Sequence, residues 1–195
     1  MDELHIPQEM ISDLVHRPMA DFPLKWRFTD PRYSVLPAAH LDQVRPLDSS
    51  SAMRISRFVS DSGLHVEIPF RSGFFQHVES TKIAESHGNG EEDDRIRKWL
   101  YRCAIPFDRK IFLIWQPEWV VETTWKMLLK YWTDFYYPIS DDLTVCDESL
   151  QWSLLFFHEH EAFFGTNLPR TNREAEQVET QKPLLAVCSS TSPVI

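Results

Sequence analysis

The sequence predicts an α+β fold: a small, mainly antiparallel sheet with a long helix packed on one face, N-terminal helices and a proline-rich arm. Two observations carry this. Four short apolar runs, residues 111–115, 143–146, 151–157 and 162–165, have the length and composition of strands. Between the first two, Val121, Trp125, Leu128 and Trp132 recur at helical spacing, so residues 117–133 read as one helix. The chain has 195 residues, 43% of them apolar and 13% aromatic, which is enough for a sizeable core. Residues 1–165 are therefore expected to form a single globular domain. Within it, 1–110 is the helical and irregular part and 111–165 the strand–helix–hairpin core, with 166–195 a flexible tail.

Taken in order, Pro7 opens a short helix over 7–16, striped by Met10, Ile11, Leu14 and Val15 and stopped by Pro18. Prolines 18, 23, 31, 37 and 46 then exclude long regular elements, leaving a wrapping arm anchored by Trp26, Phe28 and Tyr33. Within the arm, 25–28 and 33–36 are candidate short strands. Asp48 and the serines after it supply cap chemistry for a helix through Met53, Ile55, Phe58 and Val59, ended by Gly63. Residues 64–79 read as irregular or edge strand around Pro69 and Gly73. Residues 80–94 read as a mobile surface loop whose acids lead into a helix over 94–102. Pro117 and Glu118 have the chemistry of a helix start. The runs 151–157 and 162–165 answer each other across a tight polar turn as a hairpin.

Composition narrows the function. With only five Gly there is no phosphate-cradling glycine run. The balance of 20 Lys+Arg against 29 Asp+Glu gives a formal charge of −9, which disfavours direct binding to nucleic acid and suits a basic partner. Cys103, Cys146 and Cys188 are widely spaced and form neither a disulfide framework nor a zinc knuckle. No basic and apolar leader and no run near membrane-spanning length is present, so the expectation is a cytoplasmic protein with no membrane partner.

Two groups of residues invite a chemical reading. His158 and His160, two apart on an extended chain, would present both imidazoles to one metal if Asp142, Asp147 or Glu148 added a ligand. The competing reading makes 158–161 the polar tip of the hairpin. The acids Asp141, Asp142, Asp147 and Glu148 suit turns and caps better than general acid–base work. Trp125, Trp132 and Trp152 suit a core. Tyr136 and Tyr137, near an element end and beside acids, suit a protein-binding surface.

The pattern Trp-x-Pro-Glu-x-Val-Val-Glu-Thr-Thr-Trp (115–125), then Trp-x-Asp-Phe-x-Tyr-Pro-x-Ser-Asp-Asp (132–142), Trp152 and Phe-His-Glu-x-Glu-x-Phe-Phe-Gly (157–165) resembles small bacterial proteins encoded beside polymorphic or contact-delivered toxins and taken to be their immunity proteins. The resemblance is limited to about residues 111–165. It implies a protein with no active site and no cofactor, which covers the basic cleft of one cognate toxin by stoichiometric binding. The contact surface expected on this reading is Asp141, Asp142, Glu148, Glu159 and Glu161, with Glu91, Glu92, Asp93 and Asp94 as a second acidic patch and Tyr136 and Tyr137 as aromatic anchors. The alternatives are a metal-dependent enzyme using His158 and His160, and an adaptor or chaperone for a secreted effector.

Overall fold

β-Branched and aromatic residues in the C-terminal half build strands, and strands from the N-terminal half extend the same sheet at both edges. The computed structural model describes residues 5–84, 90–138 and 140–169. Its elements are α1 (Gln8–Ser12), a 3-10 turn (Met19–Asp21), α2 (Trp26–Thr29), β1 (Ser34–Val35), α3 (Ala38–Leu41), β2 (Arg45–Pro46), α4 (Ser49–Asp61) and β3 (His77–Lys82). There follow α5 (Gly90–Arg102), β4 (Lys110–Gln116), β5 (Trp119–Thr124), α6 (Trp125–Phe135), β6 (Leu143–Cys146), β7 (Trp152–Phe157) and β8 (Glu161–Thr166). Seven strands form one sheet in the order β2-β5-β4-β6-β7-β8-β3, every neighbouring pair antiparallel. The α+β class and the β7–β8 hairpin are as the sequence predicts. The expected tail beyond Pro169 and the centre of the expected 80–94 loop, residues 85–89, lie outside the described residues.

The long helix expected over 117–133 is instead a strand and a shorter helix. Pro117 and Glu118 make the turn of the β4–β5 hairpin, and Ile114 pairs with Val120 across it. The run Val120-Val121-Glu122-Thr123-Thr124 is β-branched at four of its five positions, which suits a pleated surface better than a helix. Val121 fell at helical spacing from Trp125 while belonging to the strand. Thr124 ends β5 and caps α6, its hydroxyl accepting from the Met127 N–H at 3.4 Å.

Other boundaries also move. The segment 25–28, read as a strand, is the single helical turn α2, with Phe28 0% exposed and Arg27 buried beside it. The expected helix over 7–16 shrinks to α1, because Leu14, Val15 and His16 turn away to meet the start of α4: Val15 N–H donates to Ser51 and His16 bridges Leu47. The acids Glu91, Glu92 and Asp93 occupy the first turn of α5, where they face the positive end of its dipole. Residues 80–82 complete the edge strand β3, paired with β8 over its full length.

The sheet carries a core on each face. Against one face pack α5, α6 and the proline-rich arm, around Trp125, Trp132 and Trp152. Trp125 meets Trp152 edge-on at 5.4 Å, and Phe156 is stacked between Trp132 and Tyr136. Each of these buried aromatics contributes a few kcal/mol. On the other face, α4 and the segment after it cover Phe112, Val120, Cys146 and Leu155. Pleat alternation divides β7 accordingly: Trp152, Leu154 and Phe156 face the tryptophans and Leu155 faces α4. Cys103 and Cys146 are buried. Burial, and beside it the charge of Asp147, pushes the Cys146 thiol far above its usual value, which makes it a core residue and no nucleophile. Among the described residues no helix is long and apolar enough to cross a membrane.

Candidate protein-binding surface

Antiparallel pairing fixes which residues meet at each end of the sheet. The register of β4, β6, β7, β8 and β3 brings Gln116, Leu143, Phe157, Glu161 and Lys82 to one end. Residues 158–160 form the tip of the β7–β8 hairpin there. His160 makes the turn with a φ of 58°, in the left-handed region. The last turn of α6 and the segment 136–142 reach the same end, because the Tyr136 hydroxyl donates to the Phe157 carbonyl at 2.6 Å.

The centre of this end is an aromatic stack around a buried ion pair. Arg27 meets Asp141 through two hydrogen bonds, at 2.5 and 2.9 Å, and donates a third to the Phe135 carbonyl at 3.2 Å. Asp141 also accepts the Tyr137 N–H at 2.9 Å. The Arg27 guanidinium lies 4.5 Å from the Tyr137 ring centre, 5.2 Å from Trp26 and 5.9 Å from Trp115. Trp26, Tyr33 and Tyr137 then pack on one another at 4.4 to 6.4 Å. Tyr33 is 54% exposed and Val35 beside it 59%, so the stack presents an apolar face to solvent on a rigid base.

Acidic groups flank it. Asp142 is exposed and accepts from the His158 backbone N–H and lies 2.8 Å from its Nδ1. Glu159 is exposed at the hairpin tip, and Glu161 pairs with Lys82 at 2.6 Å across the β8–β3 edge. The second acidic patch arrives from α5. Arg95 holds Glu92 and reaches Thr81 and the Lys82 carbonyl, tying the start of α5 to β3. This arginine holds the Glu92 carboxyl down at about 2. Asp94 pairs with Arg97. From β4 to β3 the end spans four strand spacings, about 19 Å.

This placement corrects the expected contact set. Tyr136 is 0% exposed, its ring stacked on Phe156, and cannot touch a partner. Asp141 is 7% exposed and committed to Arg27. Both were judged from position near an element end, whereas α6 packs back on the sheet and buries them. Glu148 is exposed but follows Cys146, at the opposite end of β6, where its carbonyl accepts from Ile6. Asp142, Glu159, Glu161, Glu92 and Tyr137 come together at the hairpin-tip end, while Glu91 and Asp93 stand with Glu92 in the first turn of α5 and Asp94 pairs with Arg97. Trp26 and Tyr33 are surface elements that the expected contact set lacks, and Arg27 is the buried base beneath them. The aromatic anchors of the arm were legible, but their meeting with Tyr137 is a long-range contact.

The hairpin histidines have structural roles: His158 pairs with Asp142 and His160 turns the chain. Among the described residues no three His, Cys, Asp or Glu side chains are placed to hold a metal ion. On the α4 face the same end opens into a cleft of about 380 Å³, lined by His65, Asp142, Thr144, Leu155 and Phe157. His65 Nδ1 lies 2.7 Å from the Pro69 carbonyl, which only accepts, so Nδ1 carries a proton, and Nε2 lies 2.9 Å from the Thr144 hydroxyl. Burial lowers its pKa, against the opposing pull of the Pro69 carbonyl and the Asp142 charge.

A family model described as "Protein of unknown function (DUF2947)" matches residues 16–165. The chain belongs to this family. No curated protein and no solved structure matches it. The DUF2947 span takes in the whole seven-stranded sheet except the last residue of β8, along with the Trp26–Tyr33–Tyr137 stack and the hairpin tip. Residues 166–195 lie beyond it.

Proposed function

We propose that this DUF2947 protein acts by binding another protein through the hairpin-tip end of its sheet. On this reading it is an immunity protein that neutralises a cognate secreted bacterial toxin stoichiometrically. The observation that carries the reading is convergence: acids from the approach to β6, the β7–β8 hairpin and α5 flank a half-buried Trp–Tyr–Tyr stack, exposed at Tyr33 and mounted on a buried Arg27–Asp141 pair. Aromatic anchors with a charged surround are the composition of an interface hot spot. The carboxylates of this end outnumber Lys82 and Arg95, and a chain of net charge −9 steers toward a basic cleft.

The test is affinity capture of the full chain from its native host, followed by expression of the captured partner alone and together with this protein. A single stoichiometric partner that kills cells alone and is neutralised on co-expression supports the proposal. Tyr33→Ala/Tyr137→Ala should then weaken binding roughly 30-fold, the value of about 2 kcal/mol at a hot spot. Glu91→Lys/Glu159→Lys should weaken it most at low salt. A captured partner that harms no cell overturns the immunity reading, and unchanged affinity in both variants overturns the surface.

A further inference from the structure

At the opposite end of the sheet, on the tryptophan-packed face, α5 and α6 border a groove of about 760 Å³. Its floor is apolar, from Tyr101, Phe107 and Leu129, and its rim carries Lys126, Lys130 and Arg97. Arg97 is committed to Asp94 and to the Leu129 carbonyl, and Asp108 adds one carboxylate to the lining. Lys126 and Lys130 make no ion pair with a described residue, which is notable on a surface dominated by acids. Lys130 rests on the Tyr131 ring at 5.3 Å.

The chain leaves the sheet at the same end as this groove. Thr166 at the end of β8 and Thr124 at the end of β5 share one end, four strand spacings or about 19 Å apart. After β8, Leu168 already packs against the tryptophan-side core, the face on which the groove opens. The sequence then continues through residues 170–195. There, Glu174, Glu176 and Glu179 precede the apolar run Leu184-Leu185-Ala186-Val187. The seven residue steps from Pro169 to Glu176 span up to about 23 Å when extended, enough to cross that distance.

We propose that the chain's own segment 174–187 docks in the α5–α6 groove. Its carboxylates meet Lys126 and Lys130, and its apolar run covers Tyr101, Phe107 and Leu129. The segment is the occupant that charge and reach favour. It carries the opposite charge in a short block, its apolar run matches the apolar floor, and its anchor point leaves on the same face at the same end. Docking would make the groove self-occupied, and an acidic-apolar peptide of a partner would have to displace the segment. This inference concerns the end of the sheet opposite to the proposed partner surface and does not depend on that reading.

The experiment uses the full chain with a nitroxide on Cys188, since Cys103 and Cys146 are buried. Backbone amide signals are then read for paramagnetic broadening. Docking predicts strong broadening at residues 97–101 and 126–130. It predicts loss of that broadening in Lys126→Glu/Lys130→Glu and separately in Glu174→Lys/Glu176→Lys/Glu179→Lys, and its return when both sets are combined. The tail-side variant changes no residue of the groove, so the test survives a groove-side variant that fails to fold. Broadening that is absent from the groove, or unmoved by both variants, overturns the proposal. So does broadening seen only when labelled and isotopically marked chains are mixed, which would assign the groove to a second copy.

Discussion

Gly165 shows how a single residue is fixed by its neighbour. A Cβ built there would lie 2.1 Å from Phe75 Cδ2, and the Phe75 ring is itself wedged between Phe70 and Phe74. Gly165→Ala should therefore destabilise the protein by about 1–3 kcal/mol, with part of that recovered when Phe75→Leu is added, as read from urea denaturation midpoints. Arg27 and Asp141 are fixed by charge in the same way. Removing one partner leaves the other buried with its hydrogen bonds unmade. Arg27→Met should cost about 3–5 kcal/mol, whereas Arg27→Met/Asp141→Leu should cost distinctly less than the two single changes summed. A double-mutant cycle that proved additive would show that the pair contributes nothing as a pair.

Among the elements, α6 is the one whose start the apolar pattern misplaced. Helical spacing extends back to Val121, yet the chain stays extended until Thr124, where a hydroxyl takes over the Met127 N–H. The strand wins because Val120, Val121 and Thr123 are buried between β4 and the two cores, a site that β-branched residues fill well. Thr124→Val keeps the shape and deletes the cap. It should cost about 1 kcal/mol, with hydrogen exchange speeding first at the amides of Lys126 to Leu128. Unchanged exchange there would place the start of the helix under the control of Trp125 packing alone. The edges of the sheet are managed by composition: β3 is exposed nearly throughout and carries Glu79 and Lys82, and β2 is two residues long and ends in Pro46.

Across the whole molecule, titratable groups join segments that are distant in sequence. His65 fastens the segment after α4 to β6 through Thr144, and Glu122 fastens β5 to His16, Arg45 and Lys110. Burial alone would raise the Glu122 pKa, but the hydrogen bond to His16 and the charges of Lys110 and Arg45 bring it below the ordinary 4.5. The pKa of His65 is depressed below 6.5, chiefly by burial. In both cases the unfolded chain binds the proton more readily than the folded one. Each group therefore stabilises the fold above its unfolded pKa, and that contribution fades as pH falls through the folded value. Stability measured by urea should start to fall as pH drops below about 6.5, and that upper limb should flatten in His65→Gln. An identical pH profile in the variant would remove His65 as its source.

The sequence by itself determined the fold class, the strand runs of the C-terminal half, the hairpin, the tryptophan core and the acidic balance. Each is written in local periodicity or in composition, and burying a two-residue or 3.6-residue pattern leaves few arrangements open. Tertiary structure alone decided the rest. Pairing register took β2, β3 and β5 into the sheet. The packing of α6 buried Tyr136 and Asp141 and left Tyr137 at the surface. The arm set Trp26 and Tyr33 against Tyr137. The hairpin-tip end was only partly legible for the same reason: its acids are visible as clusters, but their meeting from β6, β7–β8 and α5 is a matter of long-range antiparallel pairing, which no spacing along the chain records.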